Sequence, residues 1–441
     1  MPELYEAEMI NDDGYAVLHK NRKRYLIPNL LLGEKAEIRF FANGFGKVLS
    51  RQNDSPDRVK PLCPYYNECG GCQLQHLSYE KQLELKTAKV RHLLANAKLD
   101  SNLCLPIIGM KEPFHYRNKA QMVISEKGKK VMGGFYAENT HEIINVDKCY
   151  VQNDIANDIV KTCRTLMQQM HIEPYDEDKK TGLVRHIYVR TAEETGQILV
   201  AIVTITEMFP GRHNFVVALR EKHPEITTIV QNINTRTTST VLGNFERVLY
   251  GPGSIVDIVL GKKFKISANT FYQINHKQTE ILYRKALELA KPKKTDKVLE
   301  LYSGIGTIGI IFSDHARKVE GVELNKESVK NATQNARFNN VRNIHFYQMD
   351  AAEFIGAIDP EENEFDILLV DPPRDGLSEK CLEGIVRLHL DKICYISCSP
   401  DTLARDLSVL AKQGYSLKQV QPVDMFPETC HVESVAMLEL R

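Results

Sequence analysis

The chain has 441 residues, 43% apolar and 26% charged, with 57 basic side chains balancing 57 acidic ones. That length exceeds one ordinary hydrophobic core and predicts two or three domains. The balance excludes attachment to nucleic acid by overall basicity, and no apolar run reaches the roughly 18 residues of a membrane span. Glu3, Glu6 and Glu8 stand where a signal peptide would be apolar. Ten cysteines in such a context are expected as thiols, metal ligands or nucleophiles rather than disulfides, which implies a cytoplasmic protein.

Residues 1–54 alternate apolar and polar positions in five short runs (Tyr5–Ile10, Gly14–His19, Arg24–Ile27, Lys35–Phe40 and Gly46–Leu49), punctuated by Gly14, Pro28, Gly33 and Gly44. This spacing predicts a small antiparallel barrel. Lys20, Arg22, Lys23 and Arg24 cluster in one connection, and Asn53 to Pro61 reads as a linker. Residues 53–130 carry thirteen Lys or Arg against eight Asp or Glu. This local excess suits a grip on a phosphate backbone, and equally a solvated helix face.

Residues 55–270 read as an α+β domain on an antiparallel sheet. A cysteine-rich loop at 62–76 precedes a helix from Ser78 to about Leu99, whose Leu83, Val90, Leu93, Leu94 and Ala97 fall near helical spacing. Strands are predicted at Lys119–Ser125, Val131–Tyr136, Leu183–Thr191, Gln197–Thr204 and Thr227–Ile233, with a helix near 151–171. From 271 to 441 the pattern becomes strand–helix alternation. The runs Lys297–Leu301, Lys318–Glu323, Ile344–Gln348, Asp366–Val370 and Lys392–Ile396 are nearly continuous in apolar residues, as in a parallel sheet covered on both faces. The expected class is α/β, a Rossmann-like doubly wound sheet. Two further strands, Tyr415–Val420 and Ser434–Glu439, close the chain.

Lys297–Leu301 runs into Tyr302-Ser303-Gly304-Ile305-Gly306-Thr307-Ile308-Gly309, a turn whose glycines permit positive φ and close approach of a ligand. Glu323 ends the next strand, where an acid reaches both hydroxyls of a ribose. Asp350 follows the third strand, placed for an adenine amino group, and Asp371 ends the fourth. A dinucleotide site is the rival reading, but it needs a second mononucleotide half and a substrate domain. Only about 70 residues follow Asp371, so a single nucleoside, S-adenosylmethionine, fits better.

Asp371-Pro372-Pro373-Arg374 resembles the motif with which amino-group methyltransferases cradle a base. Arg374 stands where the stacking aromatic would be, which weakens that alternative. Ser397-Cys398-Ser399-Pro400 follows the fifth strand. Cys398 thus lies at the carboxyl edge, before a helix start whose peptide N–H groups favour thiolate. The bland reading is a small buried hydrophobe, like Cys394. Glu433, just before the last strand, supplies a companion acid. Together they suit methylation of uracil carbon 5: thiolate addition to carbon 6 creates the nucleophile, and a base later removes the carbon 5 proton. Cys63-x5-Cys69-x2-Cys72 encloses Gly70 and Gly71 and is a metal-binding signal. Cys149 is the first choice of fourth ligand, ahead of Cys104, Cys163 and His76, and the spacing does not separate zinc from an iron–sulfur cluster.

Taken together these motifs resemble, over essentially the whole chain, the bacterial 23S rRNA (uracil-5-)-methyltransferases. The resemblance implies an N-terminal TRAM barrel that binds RNA, a central domain and a methyltransferase domain. It implies a 4Fe–4S cluster on Cys63, Cys69, Cys72 and Cys149, a nucleophile at Cys398 and a general base at Glu433. Cofactor contacts carry over to Gln273, Tyr302, Glu323 and Asp371, less firmly to Asp350, alongside Gly304 and Gly306 of the turn. The barrel segment Asp12-Asp13-Gly14-Tyr15-Ala16 departs from the family pattern by lacking a second glycine. A barrel and cysteine set together favour rRNA, although relatives with both act on tRNA. The expected protein is a cytoplasmic monomer whose partner is a single-stranded or loop uridine in RNA.

Overall fold

The computed structural model describes residues 3–137, 140, 142–236 and 240–441. Its contacts group the chain into two compact units. One comprises residues 1–113, 372–377 and 395–441, the other residues 114–371 and 378–394.

The first unit opens with six short strands: β1 (Leu4–Glu6), β2 (Met9–Ile10), β3 (Ala16–Lys20), β4 (Lys23–Ile27), β5 (Lys35–Phe40) and β6 (Gly46–Arg51). They form two three-stranded sheets, ordered β1-β5-β6 and β2-β3-β4. The run expected at Tyr5–Ile10 is therefore broken at Ala7 and Glu8, and its halves serve different sheets. A strand that changes sheet turns the corner of a small barrel, and Ala7 joins Ala16, Leu18, Ile27, Leu30, Ala36 and Ile38 in the enclosed core. Then follow α1 (Tyr66–Cys69), inside the cysteine loop, and α2 (Tyr79–Asn96). The expected α2 exists, but its buried face differs from the apolar stripe read in the sequence. Gln82, Lys86, Thr87 and Lys89 are buried with Val90 and Leu94.

The second unit begins with β7 (Lys119–Lys127), β8 (Lys130–Tyr136), β9 (Ile143–Asn145), α3 (Asp154–Gln169), β10 (Val184–Thr191), β11 (Ile198–Thr204), α4 (Arg212–Lys222), β12 (Thr228–Ile233) and β13 (Phe245–Tyr250). These strands form a seven-stranded sheet ordered β13-β12-β11-β10-β7-β8-β9. Its pairs are antiparallel except β11–β12. The exception follows from α4, which turns that connection into a crossover. Ile159, Val160, Cys163 and Met167 of α3 enter the sheet's core with Ile187, Val189 and Val200. A hairpin of β14 (Ile255–Val259) and β15 (Lys262–Ile266) precedes α5 (His276–Ala290).

The alternating half contains β16 (Lys297–Leu301), α6 (Thr307–Phe312), β17 (Lys318–Glu323), α7 (Lys326–Phe338), β18 (Ile344–Gln348), α8 (Ala351–Ala357), β19 (Ile367–Val370), α9 (Glu379–Leu388), β20 (Lys392–Ser397), α10 (Pro400–Lys412), β21 (Tyr415–Val423) and β22 (Glu433–Leu440). Its sheet has the order β18-β17-β16-β19-β20-β22-β21, a doubly wound arrangement as expected. β16 runs parallel to β17 and β19, whereas β21 and β22 are antiparallel. Among the described residues no helix is long and apolar enough to cross a membrane.

Candidate active site

In the second unit the residues expected at the cofactor include the turn after β16. Tyr302, Gly304 and Gly306 all have positive φ, at 63°, 54° and 79°. Gly304 faces open space, whereas a Cβ on Gly306 would lie 2.5 Å from the Phe346 ring. Gly306 thus serves packing as well as the turn. Glu323, ending β17, accepts the Gly304 N–H at 3.0 Å through one oxygen and the Asn325 N–H at 2.7 Å through the other. Each oxygen keeps a second lone pair for a ligand hydroxyl. Asp350 is the N-cap of α8, with one oxygen accepting the N–H groups of Ala352 and Glu353. Gln273 lies between β15 and α5, and its carbonyl accepts the Asn118 side-chain amide at 3.0 Å.

Glu300 is a further candidate, one not singled out from the sequence. It lies inside the apolar run of β16, where an acid breaks the pattern, and that break was its available signal. It is 2% exposed. One oxygen accepts the Gly309 N–H at 3.1 Å, and the other, Oε2, has no hydrogen-bond partner among the described residues. A Cβ on Gly309 would lie 2.2 Å from Oε2, so the glycine makes room for the acid. Burial pushes Glu300 up to about 8, and the neighbouring acids Asp371 and Glu323 push in the same direction. Burial also raises Asp371 to about 7. Concentrated acids held short of ionisation favour a cationic ligand, which repays their desolvation. The orphaned Glu300 oxygen and the open Gly304 turn are compatible with S-adenosylmethionine as a cationic ligand.

The first unit holds the candidate nucleophile and base. Cys398 directly follows β20 and is half-buried. Cys394, four residues earlier, is buried, and burial pushes its thiol up to about 12. The end of β20 thus separates a thiol buried within the strand from a half-buried one just beyond it. Ser397 and Ser399 brace the turn: the Ser399 N–H donates to Ser397 Oγ at 3.0 Å, and that hydroxyl donates to the Ser399 carbonyl. Pro400 is the first residue of α10. Glu433 begins β22 opposite Val423, the last residue of β21, and is 1% exposed. A strand–helix–strand connection makes β20 and β21 parallel, and β22 lies between them. The start of β22 therefore shares the carboxyl edge of β20, and topology puts Cys398 and Glu433 at one edge on neighbouring strands.

The four cysteines expected to hold a cluster are Cys63, Cys69, Cys72 and Cys149. Among the described residues no three His, Cys, Asp or Glu side chains group so as to hold a metal ion. Cys63, Cys69 and Cys72 are half-buried in the first unit, while Cys149 belongs to the second. Cys149 sits in a turn that Asn157 clamps by accepting its N–H and donating to its carbonyl, at 2.9 and 3.0 Å. Four thiolates repel unless a metal neutralises them, so ligand convergence is coupled to binding. Cys163 lies in the α3 core, Cys104 is buried, and burial holds His76 down near 3 while its Nδ1 meets the Tyr66 hydroxyl at 2.5 Å.

The tRNA (uracil-5-)-methyltransferase family model matches residues 78–441. The chain belongs to that family. Uncharacterized RNA methyltransferases are among its relatives: one from Halalkalibacterium halodurans is 39% identical over 98% of this chain and 96% of its own length. One from Caldanaerobacter subterraneus is 42% identical over 99% and 98%. A solved tRNA (uracil-54, C5)-methyltransferase of Pyrococcus abyssi, in complex with S-adenosyl-L-homocysteine, superposes with a TM-score of 0.81 at 26% identity. It matches 99% of this chain and 100% of its own. The uracil-5 methyltransferase family thus bears out the methyltransferase reading over its dinucleotide rival, and the α/β class stands.

Proposed function

We propose that this protein methylates carbon 5 of a uracil in 23S rRNA, with Cys398 as nucleophile and Glu433 as general base. The observation that carries the reading is the edge shared by Cys398, following β20, and Glu433, opening β22. The Cys398 thiolate adds to carbon 6 and pushes electrons toward carbon 5, which then takes the methyl group. S-adenosylmethionine supplies that group as an electrophile. Glu433 removes the carbon 5 proton, and breaking the carbon 6–sulfur bond returns the thiolate. Gly304, Gly306, Tyr302, Glu323, Asp350, Asp371 and Gln273 are assigned to the cofactor, with Glu300 added on the evidence of its orphaned oxygen.

RNA containing 5-fluorouridine separates this mechanism from exocyclic N-methylation at Asp371-Pro372-Pro373. The expected result is a covalent complex that forms with cofactor and disappears in Cys398→Ala; no complex in the parent protein would end the proposal. The substrate has a second reading. The Pyrococcus abyssi relative, matched over 99% of this chain, is named for tRNA, so a barrel does not by itself select rRNA. Mapping 5-methyluridine in rRNA and tRNA from a deletion strain decides between them. The 4Fe–4S cluster rests on the Cys63, Cys69 and Cys72 spacing and its family resemblance, and the geometry adds no support. Iron and acid-labile sulfide in an anaerobic preparation, with a brown colour, are the expected signature; bound zinc instead would replace the assignment.

A further inference from the structure

The polar face of α2 has no role in the chemistry above, yet it is buried at a cost. Lys86 is 1% exposed and its ammonium lies 2.5 Å from an Asp424 oxygen that is itself fully buried. The Tyr79 hydroxyl donates to the other Asp424 oxygen at 2.8 Å, and Lys86 also reaches the Phe426 carbonyl at 3.0 Å. One turn away, Gln82 grips Glu428 twice. Its amide donates to Glu428 Oε2 at 3.1 Å, and its oxygen accepts the Glu428 N–H at 3.2 Å. The same Gln82 amide donates to the Leu74 and Leu77 carbonyls. Returning the contact, the N–H groups of Gln73 and Leu74 donate to the Glu428 carbonyl at 3.1 and 3.0 Å.

Glu428 therefore has its N–H, carbonyl and carboxylate all held by α2 and the cysteine loop. Its φ is 69°, a left-handed conformation that a non-glycine residue keeps only where its surroundings enforce it. From Glu428 the constraint passes along the chain to Glu433. The Thr429 hydroxyl and N–H both donate to the Phe426 carbonyl, and the His431 N–H donates to Thr429 Oγ1 at 3.3 Å. Val432 and Glu433 follow, 0% and 1% exposed. An apolar contact would bury the segment at lower cost, whereas a satisfied polar network specifies a single geometry.

We propose that Gln82, Lys86 and Glu428 are positioning residues. On the uracil-5 reading, α2 clamps residues 424–432 so that the Glu433 carboxylate is aimed at the carbon 5 proton. Slack in the clamp slows the proton-removal step, after methyl transfer, and leaves cofactor binding alone. The test uses full-length Gln82→Met, which keeps the side chain's length and loses its hydrogen bonds. Glu428→Gly is the second variant; it loses the carboxylate anchor and accepts positive φ without strain. Turnover is expected to fall roughly tenfold in each, a part of the 10²–10⁴ a general base contributes. KM for S-adenosylmethionine should stay unchanged. The decisive readout is RNA carrying 5-deuterated uridine, on which the isotope effect on turnover should rise above that of the parent protein. Unfluorinated RNA should also accumulate as a Cys398 adduct. Turnover at the parent level, or a fall with neither a larger isotope effect nor more adduct, overturns the proposal. Should Gln82→Met not fold, Glu428→Gly decides alone. A parent protein that forms no adduct with 5-fluorouridine RNA marks failure of the uracil reading instead, since that adduct does not depend on removing a carbon 5 proton.

Discussion

Cys398 and Glu433 differ in what the fold asks of them, and so in what their substitution should show. Cys398 is half-buried at a strand end, so Cys398→Ala should fold normally and lose turnover by at least about a thousandfold. Gel shift of the covalent complex and incorporation of labelled methyl groups measure this. Glu433→Gln should instead leave the addition step intact and accumulate adduct on ordinary RNA. The acids assigned to the proposed cofactor edge predict a pH dependence. Burial holds Glu300 and Asp371 protonated up to about 8 and about 7, and only their ionised forms attract a sulfonium. Affinity for S-adenosylmethionine should therefore increase as pH rises through 7 to 8. S-adenosylhomocysteine, lacking the sulfonium charge, should gain less, and calorimetry on both ligands checks the difference. The linked effect on the ligand-free protein has the opposite sign. Glu300 has a folded pKa raised above its ordinary 4.5, so its contribution is complete below about 4.5 and is lost as pH rises through about 8.

At the scale of elements, α6 and α8 begin in different ways. The turn into α6 needs Gly306, whose φ is 79° and whose missing Cβ leaves room for Phe346. Gly306→Ala should destabilise by about 1–3 kcal/mol through strain and overpacking, measured by urea unfolding. Asp350 starts α8 as its N-cap. Asp350→Ala should cost about 1 kcal/mol from lost capping, and Asp350→Asn should recover most of it. If Asp350→Asn also restores cofactor affinity, the capping oxygen is what the site needs. The strand pattern was readable here because parallel strands covered on both faces are continuous apolar runs. The N-terminal strands were legible in place but not in pairing. Nothing local marks the break at Ala7 and Glu8 that sends β1 and β2 to different sheets.

On the scale of the whole molecule, charge is neutral overall while residues 53–130 are basic. RNA affinity carried by a few phosphate contacts should fall with salt at a log–log slope near −0.7 per contact on single strands. A slope near zero in a filter-binding series would remove that stretch from the RNA-binding account. The barrel also presents an aromatic and basic surface: Tyr5 and Tyr25 pack edge-on against Phe40, and Lys20 lies 4.8 Å from the Phe40 ring centroid.

Local pattern was enough for the Rossmann-like class, the glycine turn and the placing of Glu323, Asp350 and Asp371 at or just beyond strand ends, because each depends on residues adjacent in the chain. It was also enough to single out Cys398 and Glu433 as candidates. Their common edge is a tertiary fact, since it depends on β22 inserting between β20 and β21. Glu300 and Lys86 were hidden for the same reason in mirror image: a charged residue reads as solvent-facing until packing shows what encloses it. The cysteine motif is the converse case, a strong local signal with no matching ligand group among the described residues. Spacing along a chain constrains which thiols can meet, while their convergence costs repulsion and desolvation that only the folded surroundings and a bound ion repay.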